Sequence, residues 1–446
     1  MTDGSTTPGS AQRPLTHRAI LSMALPVMIS NVSTPLLGIV DTGIVGQIPD
    51  PAYIGAVAVG SLVFTFVFWA FGFLRMGTTG LTAQALGARD TNEMSACLGR
   101  ALLIAVAAGT ALVLLQWPIR ETAFALLSGS SGVEGLAREY FDIRIWAAPA
   151  TLTNYALLGW FIGLGRTDIG LVLQLILNLS NMALDALFVL GFGWDVQGVA
   201  LGTLLAECLA ATIGLLIAVR HLRSLGVRWS VVRLLDAARL RRTFAVNGDI
   251  MLRSLALISV FVWFMAQGAK QGDVILAANA VLMHFISVGA FFLDGLAFSA
   301  EALVGRAVGA AHRAGLKAAA AMTTMWAAGV AVLISVILIT FGALFIDILT
   351  VDAAAREAAR TYLPWAAGAP ILGVWAFQLD GIFIGATRTA DMRNAMLVSM
   401  AIFFAAWWTL LPFGNHGLWA ALYVHYLARI ATLLYYYPRL VRSVAA

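Results

Sequence analysis

Residues 19–40 read AILSMALPVMISNVSTPLLGIV and contain no Asp, Glu, Lys or Arg. A helix needs about 20 such apolar residues to cross a hydrocarbon core that is about 30 Å thick. Three further stretches of similar length, 51–74, 318–346 and 394–415, also lack these four charged residue types. The sequence therefore predicts a protein that crosses a membrane several times.

The apolar character extends over the whole chain. Of its 446 residues, 60% are hydrophobic and 11% are charged, and the mean hydropathy is +0.86. A soluble protein carries about 25% charged residues, so the composition excludes a soluble domain held by one anchor. We predict an all-α polytopic membrane protein with twelve transmembrane helices, called spans 1 to 12, over residues 19–46, 54–82, 95–117, 140–163, 169–191, 196–220, 244–269, 276–304, 317–346, 359–385, 392–413 and 416–438.

The basic residues predict the orientation of these spans. With the N-terminus placed in the cytoplasm, most of the 28 Lys and Arg residues fall on the cytoplasmic side. The most basic connection, at 220–242, reads RHLRSLGVRWSVVRLLDAARLRR, whereas GQIPDP at 46–51 on the other side carries no basic residue. Because membrane proteins retain Lys and Arg in their cytoplasmic loops, we expect both termini in the cytoplasm. The pI near 9.5 then reflects topology, and no nucleic-acid partner is expected.

The chain also contains an internal repeat. The segment GWFIGLGRTD at 159–168 is echoed by GIFIGATRTA at 381–390, an offset of 222 residues. At the same offset, the alanines and glycines at 85–88 meet those at 307–310. We therefore predict two pseudo-symmetric six-helix bundles in one orientation, typical of transporters that bind substrate between two halves. The predicted parts are a disordered cytoplasmic tail at 1–18, an N-lobe at 19–220, a basic cytoplasmic linker at 221–243 and a C-lobe at 244–440.

Several polar residues in the N-lobe lie at one depth in the membrane. At a rise of 1.5 Å per residue, Asp41, Asp185 and Thr203 all fall about 8–10 Å below the outer end of their spans. Asn181 precedes Asp185 by one helical turn, and Glu207 lies one turn deeper than Thr203. An ionised acid within a span costs a few kcal/mol, so we expect this set to bind a proton that couples transport. The same oxygens could instead hold Na⁺ at Asp41 and Asp185, and each polar side chain could equally serve only to bond a neighbouring helix.

The acids of the C-lobe lie nearer the cytoplasm. We expect a polar network there that acts in secondary coupling or gating, with a purely structural salt-bridge cluster as the alternative. Asp249 and Arg253 are four residues apart on span 7, so the spacing predicts that they pair. The other members of the network are Asp294, Glu301 and Asp380.

The motifs together resemble a known family. Span 1 carries ALPVMISNVSTPLLGIVDTGIVG, span 2 ends in TAQALGARD, and spans 4 and 5 carry GWFIGLGRTD and NLSNMALDALF. Span 7 opens with NGDIMLRSLAL, and span 8 ends in DGLAFSAEALVGRAVGA. From about residue 17 to residue 440, these segments resemble the multidrug and toxic compound extrusion (MATE) family, in particular its DNA-damage-inducible (DinF) branch. The resemblance implies two six-helix lobes around a V-shaped cleft.

The resemblance also implies roles for individual residues. In family members of this type, the N-lobe cation site matches Asp41, Asn181, Asp185 and Thr203, and the proline at Pro26 is proposed to govern bending of span 1. A different branch places a sodium site in the C-lobe, with an acid well inside span 7. In this sequence span 7 has no acid beyond Asp249, and Asp380 matches the span 10 acid of that branch without its neighbouring Tyr.

The function predicted from these observations is secondary active antiport. We expect export of amphipathic, cationic organic compounds in exchange for protons or Na⁺, by alternating access, with no other cofactor or metal. The alternatives are a flippase for a lipid-linked precursor and, from another class, a membrane-embedded enzyme, although the sequence has no HExxH or GxSxG motif. The expected partners are small organic substrates and the lipid bilayer, with the monomer as the functional unit. Because Arg far exceeds Lys and Ala is abundant, we expect a bacterial inner membrane.

Overall fold

The computed structural model describes residues 15–48, 50, 52–127, 131–227 and 231–444. All regular secondary structure in these ranges is helical, as the composition predicts. The helices that cross the molecule begin and end within several residues of the predicted spans. Within the described ranges, ten apolar helical stretches are long enough to cross a membrane by length and composition. One of these stretches, Thr389–Ser443, holds two helices that pack against each other, so it provides two spans.

The N-lobe contains spans 1 to 6. Three of these spans are interrupted, because span 2 is two helices, a 3₁₀ turn divides span 4, and span 5 ends in a π-helical turn. The longest uninterrupted helix of span 4, Ala148–Gly163, is too short to be counted among the ten apolar stretches. Span 4 is therefore the twelfth span. The helices of spans 1 to 6 are His17–Val45; Ala52–Trp69 with Phe73–Gly87; Thr91–Leu114; Ser131–Arg144, Ile145–Ala147 and Ala148–Gly163; Thr167–Asp185 with Ala186–Gly191; and Val196–Ser224.

The C-lobe contains spans 7 to 12, which are longer and less interrupted. Their helices are Ala237–Lys270, Asp273–Gly309, Arg313–Leu349, Ala353–Gly385, Thr389–Leu410 and Gly414–Ser443.

Short helices also occur in the connections between spans, at Gln116–Leu126, Val231–Leu234 and Leu411–Phe413. The predicted linker at 221–243 is partly helical, because span 6 continues to Ser224 and span 7 begins at Ala237. Most of the predicted tail at 1–18 lies outside the described residues.

Both ends of the described chain lie on one face of the molecule. Leu15 packs against the hydrophobic cluster that contains Leu440 and Val444. We call this side the terminal face, and the other side the opposite face. An even number of spans between the two ends requires this arrangement.

Glycines repeat the same contacts in both lobes. The backbone of Gly159 lies against that of Arg75, and 222 residues later Gly381 lies against Ala297 in the same way. At both glycines a Cβ would lie well within 3.0 Å of a carbonyl oxygen on the neighbouring span. Only glycine leaves room for such a close approach. The echo in the sequence therefore corresponds to an equivalent helix contact in each lobe.

The two lobes meet along the terminal half of the molecule. Gly87 at the end of span 2 faces the carbonyl of Arg306, and Gly309 at the end of span 8 faces the carbonyl of Gln84. These two contacts are related by the 222-residue offset, so spans 2 and 8 pack reciprocally. We call this contact the glycine seam. The Gln84 amide extends it by donating to the carbonyl of Gly385, at 3.0 Å.

The lobes separate toward the opposite face. Near the middle of span 1, the Asn31 amide donates to the carbonyl of Phe291, at 3.1 Å. Within the described ranges, no hydrogen bond or ion pair between the lobes lies nearer the opposite face than this one. The polar contacts between the lobes therefore lie between the terminal face and mid-span, and the residues predicted to couple transport lie beyond them, toward the opposite face.

Candidate cation-coupling site

Spans 1 and 5 run side by side in the same direction and carry polar residues in matching register. Near mid-span, the Asn178 amide donates to the hydroxyl of Ser33, at 2.8 Å. Two turns farther toward the opposite face, Asp41 lies eight residues after Ser33, and Asp185 lies seven residues after Asn178. Because parallel helices rise equally per residue, this register brings the two carboxyl groups to the same depth, where they meet.

Asp41 and Asp185 lie in side-chain contact, so that each can accept a hydrogen bond from the other. Asp185 is fully buried, and Asp41 is partly buried. Each carboxyl has one buried oxygen, Oδ1, without a donor among the described residues. Two ionised carboxylates cannot bond to each other, whereas one protonated carboxyl donates to its neighbour. The pair therefore lacks one donor, and a proton supplies it.

Asn181 and Thr203 complete the predicted set. The Asn181 amide donates to Oδ2 of Asp185 at 3.2 Å and to the Thr203 hydroxyl at 3.1 Å. The Thr203 hydroxyl in turn donates to the carbonyl of Val199, at 3.0 Å. The structure thus brings together all four residues that the sequence placed at one depth. Oδ1 of Asn181 is also buried without a donor, so three oxygens here are free to hold a proton or a cation.

Two features of the backbone position Asp185, and sequence reasoning missed both. The π-helical turn Ala186–Gly191 begins directly after Asp185, and such turns occur frequently at functional sites. Across from it, a Cβ on Gly202 would overlap Oδ1 of Asp185. The carboxyl group therefore occupies the space that glycine leaves on span 6. In the sequence, Gly202 directly precedes Thr203, but this spacing alone does not predict its contact with Asp185.

Glu207 lies one turn from Thr203, as predicted, but it bonds to different residues. The Asn154 amide on span 4 donates to Oε2 of Glu207 at 2.6 Å and to its backbone carbonyl at 3.1 Å. The side chain is buried. Asn154 was not among the predicted residues, because nothing in its spacing relates it to span 6. Glu207 is thus a second buried carboxyl group, held apart from the Asp41–Asp185 pair.

In the C-lobe the structure corrects one predicted pair. Arg253 does not bind Asp249. It reaches across to Asp380 on span 10, which also binds Arg429 of span 12. Asp249 instead accepts from Arg393 of span 11. The prediction from helical spacing was wrong here because long arginine side chains reach neighbouring helices. Each carboxylate there pairs with a guanidinium that would otherwise lack a partner.

The remaining C-lobe acids have different environments. Glu301 pairs with Arg75 of span 2 at 3.1 Å, so this ion pair joins the two lobes. The Arg75 guanidinium also lies over the ring of Phe298, at 3.7 Å. Asp294 has no ion pair within 4.0 Å in the part of the chain that the structure describes, although Arg75 and Arg253 act on it electrostatically. The predicted network therefore consists of separate pairs and not one continuous cluster.

Pro26 lies inside a continuous helix. Span 1 runs from His17 to Val45 through both Pro26 and Pro35. A proline in a helix removes one backbone hydrogen bond and favours a bend. The role of Pro26 in bending span 1 stays a prediction.

The sequence profile of the MatE family matches residues 26–187 and 250–407, which is most of the chain and includes parts of both lobes. The chain belongs to the MatE family. The resemblance seen in the sequence is thereby confirmed.

Individual relatives agree with this assignment to the MatE family. The chain is 40% identical to DNA damage-inducible protein F of Escherichia coli (strain K12), over 91% of this chain and 89% of the relative. It is 26% identical to a probable multidrug resistance protein NorM of Rhizobium meliloti (strain 1021), over 97% and 95% of the two chains. Its fold matches a structure described as the outward-facing conformation of a multidrug resistance MATE family transporter, with a TM-score of 0.86, 17% identity, and coverage of 95% and 96%.

The MatE assignment fixes the class of protein. The relatives include the probable multidrug resistance protein NorM and a multidrug export protein MepA of Staphylococcus aureus (strain N315), and the family is one of transporters and not of enzymes. This chain is therefore a multi-pass membrane protein of a transporter family. Among the described residues, no group of three or more His, Cys, Asp or Glu side chains could hold a metal ion.

Proposed function

We propose that this chain is a proton-coupled antiporter that exports amphipathic, cationic organic compounds by alternating access. The proposal rests on the contact between the buried Asp185 and the partly buried Asp41, where two carboxyl groups face each other and one donor is missing. A proton taken up there satisfies both groups. Its release into the opposite compartment restores the repulsion between them, and this repulsion favours a different packing of spans 1 and 5.

The surroundings of the pair favour a proton over Na⁺. One proton satisfies the Asp41–Asp185 pair, whereas Na⁺ would have to be held by only three unpaired buried oxygens, Oδ1 of Asp41, Asp185 and Asn181. A second cation site in the C-lobe is disfavoured, because both Arg253 and Arg429 already neutralise Asp380. We propose Na⁺ only as an alternative ion at Asp41 and Asp185.

We further propose that the terminal face is cytoplasmic and that the protein works as a monomer in a bacterial inner membrane. The described parts of the basic connection, 220–227 and 231–242, lie between spans 6 and 7 on the terminal face, which agrees with retention of basic loops in the cytoplasm. The side on which the lobes are joined then faces the cytoplasm, as in an exporter that is ready to release substrate.

Transport in everted membrane vesicles tests this proposal. A proton gradient should drive accumulation of a fluorescent organic cation, and varying Na⁺ at fixed pH should not change the rate. Asp41→Asn should reduce transport to the level of empty vesicles, because the amide cannot exchange a proton. Asp195→Asn, which changes an exposed acid on the opposite face, is the matched control and should behave as wild type. Transport that strictly requires Na⁺, or an Asp41→Asn protein that still responds to pH, contradicts the proposal.

A further inference from the structure

A groove runs between spans 11 and 12 of the C-lobe, in the half of these spans that is nearer the terminal face. Val398 of span 11 and Ala431, Tyr435 and Tyr436 of span 12 are among the residues that line it. Large apolar side chains in and beside the groove, those of Val398 and Leu434, are exposed. Because exposed apolar surface on a spanning helix is more stable against hydrocarbon than against water, the groove is open to lipid.

The tyrosines of the groove lie at the depth where acyl chains meet headgroups. Tyr435 and Tyr436 precede Ser443, the last residue of the span 12 helix, by eight and seven residues. At a rise of 1.5 Å per residue, they lie about 10–12 Å from the helix end at the terminal face. Tyrosine is enriched at the membrane–water interface because its ring is apolar and its hydroxyl is polar. A lipid in the groove would therefore place its headgroup toward the terminal face.

Arg439 lies at that end of the groove and carries an unneutralised charge. Its Cζ lies 5.1 Å from the ring centre of Tyr435 and 5.9 Å from that of Tyr436, and its Nη2 donates to the Tyr435 hydroxyl at 3.2 Å. No carboxylate of the described residues lies within 4.0 Å of it. The two tyrosines thus hold the guanidinium in place, and most of its five N–H donors stay available for an anion.

The other polar groups near the groove add to this positive end. Arg442 is exposed one turn beyond Arg439, and its Nε donates only to the carbonyl of Pro438, at 3.2 Å. On span 11, Oδ1 of Asn394 accepts from Arg393 at 2.9 and 3.1 Å, so the Asn394 amide is left as a donor. Within the described ranges, no acidic residue lines the groove. Its chemistry therefore suits an apolar chain that ends in a negative charge.

We propose that this groove binds one anionic phospholipid, with an acyl chain between spans 11 and 12 and its phosphate on Arg439. A guanidinium binds phosphate oxygens through charge-assisted hydrogen bonds, and basic pockets between spanning helices bind anionic headgroups. The volume of the groove is about 240 Å³, whereas pockets for drug-sized ligands hold about 300–1,000 Å³. The groove therefore suits a single chain and not a transported compound. With the terminal face in the cytoplasm, as proposed above, the lipid belongs to the inner leaflet.

Native mass spectrometry of the delipidated full chain in detergent tests the charge. The protein is titrated with phosphatidylglycerol, or with phosphatidylcholine that has the same acyl chains. The wild type should bind one phosphatidylglycerol more tightly than phosphatidylcholine, and Arg439→Gln should weaken binding of phosphatidylglycerol by about fivefold. Arg223→Gln is the matched control, because Arg223 is an exposed arginine at the terminal end of span 6. Its affinity for phosphatidylglycerol should equal that of the wild type.

A second pair of variants tests the groove itself. Ala431→Trp fills the groove without changing the charge, and both Ala431 and Leu434 are exposed, so large side chains fit there without disturbing the core. Ala431→Trp should lower the affinity for phosphatidylglycerol to that for phosphatidylcholine, whereas Leu434→Trp beside the groove should bind as the wild type does.

Three outcomes would overturn the proposal. These are equal binding of the two lipids by the wild type, an equal loss of affinity in Arg223→Gln and Arg439→Gln, and wild-type affinity in Ala431→Trp. Because the titration involves no transport, its failure leaves the proposed proton coupling untouched, and a failure of proton coupling leaves the lipid site standing.

Discussion

The glycine seam between spans 2 and 8 makes a quantitative prediction about the two conformations of the transporter. In Gly309→Ala, the new Cβ would lie well within 3.0 Å of the carbonyl oxygen of Gln84, on the other lobe. The overlap is about 1 Å, and such overpacking typically costs 1–3 kcal/mol. Because the clash exists only where the lobes touch, the cost falls on the conformation that is closed at the terminal face. The ratio of closed to open conformations should therefore fall by about 5- to 150-fold.

Spin labels at the terminal face measure this ratio directly. Asn92 and Ala314 are exposed residues in equivalent positions of the two lobes, so a label pair there reports the separation of the lobes. Cys97 and Cys208 are replaced first, so that only the introduced cysteines react. In Gly309→Ala, the distance distribution should gain a longer component, and substrate export should slow.

The repeat provides a second variant and a control. Gly87→Ala creates the reciprocal clash with the carbonyl of Arg306 and should shift the distances in the same direction. Gly329→Ala on span 9 adds a methyl group where no atom lies within 4 Å and should leave the distances unchanged. If neither seam variant alters the distances, these glycine contacts do not hold the lobes together, and the reasoning from the backbone is refuted.

Three further predictions concern the charged residues and their neighbours. Gly202→Ala should displace the Asp185 carboxyl and reduce proton-driven transport by at least about tenfold. A normal elution profile in size-exclusion chromatography would show that the variant is folded and that the loss arises at the site. Asp380→Asn leaves two buried arginines without a full counter-charge and should destabilise the protein by about 3–5 kcal/mol. The midpoint of thermal unfolding should therefore fall, and an unchanged midpoint would contradict this prediction. Glu301→Gln removes the ion pair with Arg75 between the lobes, so the same spin-label distances should lengthen, and unchanged distances would show that the pair is not a latch.

Helical geometry explains why the N-lobe site could be predicted from the sequence. A constant rise per residue converts sequence position into depth, so Asp41, Asp185 and Thr203 could be placed at one level before any contact was known. Asn181 followed from its spacing of one turn from Asp185. The structure brings these four side chains together, while their role in coupling stays a prediction. The same regularity made the count of spans accessible.

Other contacts depend on how helices rotate and cross, which spacing does not encode. Asp249 and Arg253 have a favourable spacing, yet each binds a different helix. Gly202 is important because of the carboxyl group that approaches it from span 5, and its own neighbours in the sequence give no sign of this.

The helices of the two lobes pack in equivalent ways, but their charged residues are paired differently. This difference suggests different roles for the two lobes in the proposed transport cycle. The glycine contacts at Gly159 and Gly381 show that the helices pack equivalently in both halves. In the C-lobe, however, Asp380 is neutralised by two arginines. In the N-lobe, Asp41 and Asp185 face each other. A proton arriving in the C-lobe would have to displace a guanidinium, whereas a proton arriving in the N-lobe supplies a missing donor. Under the proposed coupling, ion exchange should therefore alter the packing of the N-lobe first, and we expect the symmetric glycine seam to transmit that change to a C-lobe whose buried Asp380 stays paired.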